Sequence, residues 1–182
     1  PSVHGLNNHF QLWSQATRRE KKEVIKNVVA SALESKHGIP EAWEDVRDHL
    51  LIRVRPASYN ALVGLRAELE SGMPWGARPS RMLNNKLEAE LVFDGELIAA
   101  SFPSDQLETW GVSEEEAWDV ARRNLQQMTT ERLEEVAPGL FQSTWEDTYD
   151  AARMLLLEKV AWVKVRGDPV AFAPNRNLLL VT

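Results

Sequence analysis

The chain contains no cysteine, and this absence excludes several classes of function. It can have no disulfide framework, no thiolate ligand for a metal and no cysteine nucleophile. Long hydrophobic runs are also missing, since no apolar stretch approaches the roughly 18 residues that a membrane-spanning helix needs. The first residues lack the basic head and apolar core of a signal peptide. These absences predict a cytoplasmic protein with no membrane partner.

Motifs for catalysis and metal binding are equally scarce. The four histidines, all within the first 49 residues, are never three or four positions apart, so they form no metal-binding pair on a helix (His4, His9, His37, His49). The sequence has neither the G-x-S-x-G nucleophile elbow nor a glycine-rich phosphate loop. We therefore expect no catalytic residue of a known motif, no metal and no cofactor.

The net charge of −6 is distributed unevenly. Through Lys36, six Lys/Arg stand against three Asp/Glu, which gives +3 and leaves −9 for the remainder. Residues 105–150 alone hold twelve acidic and three basic residues. Because an acidic surface repels phosphate backbones, nucleic acid is excluded as a partner of the main body. Another protein is the expected partner.

Seven tryptophans are a high count for 182 residues. Packing in the core explains them, because an indole ring buries a large area and needs one hydrogen-bond acceptor. An aromatic surface for a ligand or partner is the alternative. One of them, Trp75, lies in residues 71–79, where two glycines and two prolines predict an ordered loop that this ring holds in place.

The length fits a single domain, 1–182, with a helical N-terminal segment over 1–48 and an α+β core over 49–182. Residues 17–20 form a capping box, and the apolar positions behind it recur every four residues as adjacent pairs (Val24, Ile25, Val28, Val29, Ala32, Leu33). Gly38 is expected to end this helix. Because the apolar face is broad for a surface arm, a homodimer formed through the N-terminal helices is a further hypothesis.

The remaining pattern favours an α+β fold. Six strands are predicted, at 50–55, 87–93, 97–102, 140–145, 169–173 and 177–181. Helices are predicted at 59–69, near 81–85, after the capping box at 113–116, around 130–136, and from Asp147 or Thr148 onward. Since adjacent hairpins pair antiparallel, we expect a largely antiparallel sheet of about five or six strands packed by helices. The last helix should bury one stripe (Tyr149, Ala152, Leu156, Val160).

Three segments follow each other in a recognisable order: LVFDGELIAASFPSDQLETWGVSEEEAWDVARRNL, DTYDAARMLLL and GDPVAFAPNRNLLL. A hairpin, a short helix ending in Trp-Gly, an acid-started helix and a closing block make up this order. From about residue 83 to 182 the chain thereby resembles the YtpQ-like family, a bacterial domain family of unknown function. Asn177 stands where that family more often has an acidic residue. The resemblance implies no activity and no cofactor.

The closing block also supplies the candidate polar cluster: Asp147, Asp150, Arg153, Asn175 and Arg176. If the start of the last helix packs near the polar turn at 174–177, carboxylates, an amide and a guanidinium converge there. The purely structural explanation makes Asp147 a helix N-cap, Asp150–Arg153 an ion pair and Asn175 a turn residue.

Two functions follow from these observations. The first is a non-enzymatic protein-binding or regulatory module, with an immunity-type role as one form of it. The second is a hydrolase-like enzyme that uses the polar cluster near the C-terminal helix and hairpin. The scarcity of catalytic motifs and the acidic stretch favour binding over catalysis.

Overall fold

The structure, a computed structural model, describes residues 10, 13–72, 74–95, 99–157 and 167–182. Its helices are α1 (Arg18–His37), α2 (Trp43–Val46), α3 (Tyr59–Ser71), α4 (Gln106–Trp110) and α5 (Glu114–Met128), with 3-10 helices at Arg47–His49 and Ala151–Leu156. Its strands are β1 (Leu50–Pro56), β2 (Ser80–Met82), β3 (Leu87–Asp94), β4 (Ala99–Ser101), β5 (Glu134–Ala137), β6 (Leu140–Gln142), β7 (Ala171–Asn175) and β8 (Leu178–Val181). With 42% helix and 25% antiparallel sheet, the α+β class is confirmed.

The strands form two antiparallel sheets of four strands each, where the sequence predicts one sheet of five or six. In the first sheet β3 is central. It pairs with β1 along one edge, and β2 and β4 share the other edge one after the other. The second sheet has the order β5-β6-β8-β7. The chain thus completes one sheet before α5 and builds the other after it.

The helices predicted near 81–85 and around 130–136 are wrong, because these segments contain β2 and β5. Both strands are short and lie at sheet edges, and every side chain of β5 is exposed. Their hydrogen bonds come from β3 and β6, so the strand conformation depends on tertiary pairing and leaves no apolar alternation in the sequence. In the hairpin after β3, Asp94 pairs with Ala99, and residues 96–98 lie outside the described residues.

Helix α5 forms as the sequence predicts. The Ser113 hydroxyl accepts a hydrogen bond from the Glu116 N–H at 3.2 Å, which caps the helix start. Its buried residues recur at helical spacing on one face (Ala117, Trp118, Ala121, Leu125). This face covers the first sheet and forms one core with α4 and with side chains of β1 and β3 (Leu50, Ile52, Ala89, Leu91, Phe93).

The last helix starts later than predicted. Asp150 is its N-cap, in place of Asp147 or Thr148, and it is a 3-10 helix from Ala151 to Leu156. Thr148 has a φ of 72°, a left-handed conformation that cannot belong to a right-handed helix. The predicted stripe residues Tyr149, Ala152 and Leu156 are buried, and Val160 lies outside the described residues.

Helix α1 starts and ends as predicted. The Glu20 carboxylate accepts a hydrogen bond from the Thr17 N–H at 2.7 Å, and Gly38 follows the helix with a φ of 72°. One edge of its apolar face is exposed, with Ile25 at 54% and Val29 at 53%, whereas Val24 and Val28 are half-buried. No element within the described residues packs extensively against α1. None of the helices in these ranges is both long and apolar enough to cross a membrane.

Candidate functional site

The predicted polar cluster contains a fully buried guanidinium, that of Arg153. Asp147 binds it in a bidentate pair, with 2.8 Å from Nη1 to Oδ1 and 2.6 Å from Nη2 to Oδ2. Nε donates to the Thr129 hydroxyl at 3.1 Å, and Nη2 also donates to the Met128 carbonyl at 3.3 Å. The guanidinium lies 4.3 Å from the centroid of the Trp145 ring. Charge and hydrogen-bond donors are therefore satisfied by the protein itself.

The predicted ion pair between Asp150 and Arg153 does not form, since Arg153 binds Asp147. The left-handed backbone at Thr148 turns the chain so that Asp147, six residues before Arg153, reaches the guanidinium. Asp150 is also completely buried. One of its oxygens accepts a hydrogen bond from the Glu146 N–H at 3.4 Å, and the other has no partner among the described residues.

The polar turn reaches the start of the last helix, but it does so through its backbone. The Arg176 carbonyl accepts a hydrogen bond from the Ala151 N–H at 3.2 Å. The side chains of Asn175 and Arg176 are exposed, and the Asn175 amide oxygen accepts from the Asn177 N–H at 2.8 Å. The turn residues and the buried pair therefore do not line one pocket.

The electrostatics of Asp147 also favour a structural role. Burial acts to raise the pKa of its carboxyl group, but the hydrogen bonds from Arg153 and from the Tyr149 N–H outweigh burial and hold that pKa below its usual range. A carboxylate with a low pKa, clamped on both oxygens, accepts a proton poorly. This pair is better suited to hold the fold together than to perform acid–base chemistry.

Tyr149 connects the same turn to the first sheet. Its hydroxyl donates a hydrogen bond to the Asp94 carboxylate at 2.6 Å, and the Arg53 guanidinium lies 5.3 Å from the centroid of its ring. Burial, first of all, raises the pKa of Tyr149 above its ordinary value, so the phenol stays protonated and remains a donor.

A second buried ionic cluster, which the sequence does not predict, lies on the first sheet. Glu90 is completely buried with its Oε2 2.9 Å from Arg55 Nε, and Glu88 is nearly buried two residues earlier. In the sequence these residues alternate with the apolar positions of β1 and β3. That pattern is typical of the solvent-exposed face of a sheet, which is why the sequence does not predict their burial. The carboxylate oxygens of Glu90 and one oxygen of Glu88 find no hydrogen bond of good geometry among the described residues.

Helix α3 and the loop before β2 adjoin this second cluster. Gly64 is the contact point, because a β-carbon there would lie 2.9 Å from Cδ1 of Trp75. The backbone N–H of Trp75 donates to the Glu68 carboxylate at 3.2 Å, and the Arg78 guanidinium stacks 4.1 Å from the Trp75 ring centroid. Trp75 thus holds the loop in place, as predicted. Residues of the helix and of the loop together line a shallow cavity of about 460 Å³.

Comparison with protein-family models, with curated proteins and with solved structures finds no match to this chain. The resemblance to the YtpQ-like family over residues 83–182 therefore stays a prediction from the sequence. Within the described residues, no group of three His, Asp or Glu side chains is arranged to hold a metal ion.

Replacing Asp147 by Asn should lower the free energy of unfolding by about 3 kcal/mol at pH 7, because it leaves the buried Arg153 charge without a partner. The depressed pKa of Asp147 means that its contribution is present above the unfolded pKa of about 3.9 and is lost as pH falls through the lower folded pKa. The difference between wild type and Asp147→Asn should therefore shrink below about pH 4. Urea unfolding at several pH values measures it.

Asp150→Asn is the matched control for that substitution, since Asp150 is buried in the same turn but does not pair with Arg153. Asp150→Asn should lower the free energy of unfolding at pH 7 clearly less than Asp147→Asn does. Equal losses from the two substitutions would show that the bidentate pair is not what stabilises this turn.

The second cluster predicts opposite effects from two neighbouring substitutions. Burial, followed by the charge of Glu90, raises the pKa of Glu88, so its favourable contribution is complete below the unfolded pKa and is lost as pH rises through the folded value. Glu88→Gln should then raise the melting temperature at pH 7 and leave it nearly unchanged near pH 4. Glu90→Gln should lower it at pH 7, because Arg55 loses its counter-charge. Thermal unfolding followed by circular dichroism separates the two, and a similar loss for both would contradict this account.

Proposed function

We propose that this chain is a protein-binding domain that docks its partner on α3. The observation that carries the proposal is the outward face of that helix: Leu62, Leu65 and Leu69 are 64%, 56% and 78% exposed. Their spacing of three and four residues aligns them along one side of the helix, and they are called the leucine stripe below.

An exposed stripe of this kind is unusual for a helix of a folded domain. Amphipathic helices normally turn their leucines toward the core, and each leucine that is fully buried contributes about 1.5–3 kcal/mol. Helix α3 instead turns Gly64 inward, against Trp75. Contiguous apolar side chains with a polar rim are typical of protein interaction sites, and here the ion pair between Arg66 and Glu70 forms part of the rim.

The charge of the chain supports a partner with basic character. Residues 105–150 carry twelve acidic and three basic side chains, which attract a basic surface and speed its association. A regulatory protein, including one of the immunity type, acts by binding another protein, so this proposal includes a regulatory role. The cysteine-free composition supports a cytoplasmic place of action.

The hydrolase alternative receives less support from the geometry. Asp147 is bound on both oxygens by Arg153, while the side chains of Asn175 and Arg176 face solvent. A catalytic carboxylate works best with an oxygen free to meet its substrate, and both oxygens of Asp147 already accept hydrogen bonds within the protein.

Leu65→Glu tests the proposal, with Val136→Glu as the matched control. Val136 is 49% exposed and lies on β5, so both substitutions place the same charge at an apolar side chain of similar exposure. Both variants should keep their stability within about 0.5 kcal/mol of wild type, as is usual for surface positions. Affinity capture from a lysate of the source organism, with quantitative mass spectrometry, should lose specific proteins only for Leu65→Glu. Capture of the same proteins by all three forms would refute the proposal.

A further inference from the structure

We propose that the leucine stripe binds α1 of a second copy of this chain, in a reciprocal dimer. This inference rests on the proposed function and names one partner for that same surface. In such a dimer α1 of each protomer packs on α3 of the other. The two contacts are related by a two-fold axis, as in most homodimers.

The first support is that α1 offers a matching apolar surface, one edge of which is exposed in the part of the protomer that the structure describes. Val24, Ile25, Val28 and Val29 form two pairs four residues apart, so they lie on one side of the helix. Ile25 and Val29 are more than half exposed, whereas Val24 and Val28 are half-buried. The described residues contain no element that packs extensively on α1, whether α3 or another. Among the described residues, one chain therefore presents two helix faces with exposed apolar side chains, the leucine stripe of α3 and the edge of α1 at Ile25 and Val29.

The second support is charge. Six Lys/Arg and three Asp/Glu lie within α1, so this helix carries +3, whereas α3 contains Arg66, Glu68 and Glu70 and carries −1. Pairing α1 with α1 would bring two basic helices together, and like charges across an interface are costly. Pairing α1 with α3 joins opposite signs and brings the basic helix to an acidic body. Charge thus favours the reciprocal arrangement over the symmetric contact between two α1 helices.

The third support is length. The leucine stripe extends over eight residues (62–69), a distance of about 10 Å along the axis, and the two apolar pairs of α1 extend over six residues (24–29), a distance of about 7.5 Å. Helices with apolar faces of this length pack at about 8–10 Å between axes, side chains of one filling the grooves of the other. Because the dimer uses each helix once per copy, it buries both apolar faces together and leaves neither exposed.

Sedimentation velocity of the 182-residue chain at tens of micromolar tests the inference. Wild type should sediment as a dimer, as should the control Val136→Glu. Ile25→Glu on α1 and Leu65→Glu on α3 should each raise the dissociation constant by about a hundredfold or more. Far-ultraviolet circular dichroism should show that each variant keeps the wild-type content of helix and strand. Leu62→Glu serves as a second α3 variant in case Leu65→Glu does not fold.

Mixing the two defective variants identifies which helices meet. The Ile25→Glu protomer keeps an intact α3 and the Leu65→Glu protomer an intact α1, so the mixture restores one of the two contacts. The mixture should therefore dimerise more strongly than either variant alone. Contact between two α1 helices would leave Leu65→Glu dimeric, and contact between two α3 helices would leave Ile25→Glu dimeric. Either result overturns the inference.

Sedimentation tests the dimer, whereas capture from the lysate tests the proposed function. A monomeric wild type overturns the inference, as does closure of α1 onto its own α3. If Leu65→Glu still loses specific proteins from the lysate in that case, the leucine stripe binds a different protein and the proposed function stands. If the wild type is monomeric and capture is unchanged by Leu65→Glu, both proposals are wrong.

Discussion

The structure depends on the burial of one positive charge, that of Arg153. A buried guanidinium is tolerated only where its charge and its donors are matched, and otherwise costs several kcal/mol. Here Asp147 supplies the charge, while Thr129 and the Met128 carbonyl at the end of α5 accept the remaining hydrogen bonds. Because α5 packs on the first sheet and the 3-10 helix packs on β7 and β8, this guanidinium joins the elements that carry the two sheets. The left-handed residue Thr148 is part of the same constraint, since it brings Asp147 into position.

The second buried cluster explains why α3 is turned outward. Arg55, Glu88 and Glu90 give the first sheet a charged face that is nevertheless shielded from solvent. Leucines packed on such a face would place apolar side chains, which return no hydrogen bond, against ionised groups, and a buried charge without polar partners costs more than burial of an apolar side chain contributes. The helix meets its surroundings through Gly64 instead, and its leucines remain in solvent. The exposure of the leucine stripe thus follows from the position of this charged cluster on the first sheet.

The sequence predicts those parts of the fold in which local periodicity and tertiary packing agree. Helix α5 is one example, since its cap at Ser113 and its buried face both follow from spacing. Strands β2 and β5 could not be predicted, because they take their conformation from a neighbour and their own side chains carry no apolar pattern. The pairing of Arg153 with Asp147 could not be predicted for a related reason. Helical spacing favours Asp150 as the partner of Arg153, and only the left-handed backbone at Thr148 brings Asp147 to the guanidinium instead. The burial of Glu88 and Glu90 likewise depends on tertiary contacts that no local pattern records.

The two proposals are linked because they use one surface. A protomer whose leucine stripe holds α1 of a second copy cannot offer that stripe to another protein, so dimerisation and partner binding compete by mass action. Apolar burial supplies most of the affinity in either complex, whereas charge selects between them. A foreign partner with a basic apolar helix would reproduce both features of α1 and displace it. A rise in ionic strength would weaken the electrostatic preference and leave the apolar contribution, so the choice of partner would become less selective while the stripe remained covered.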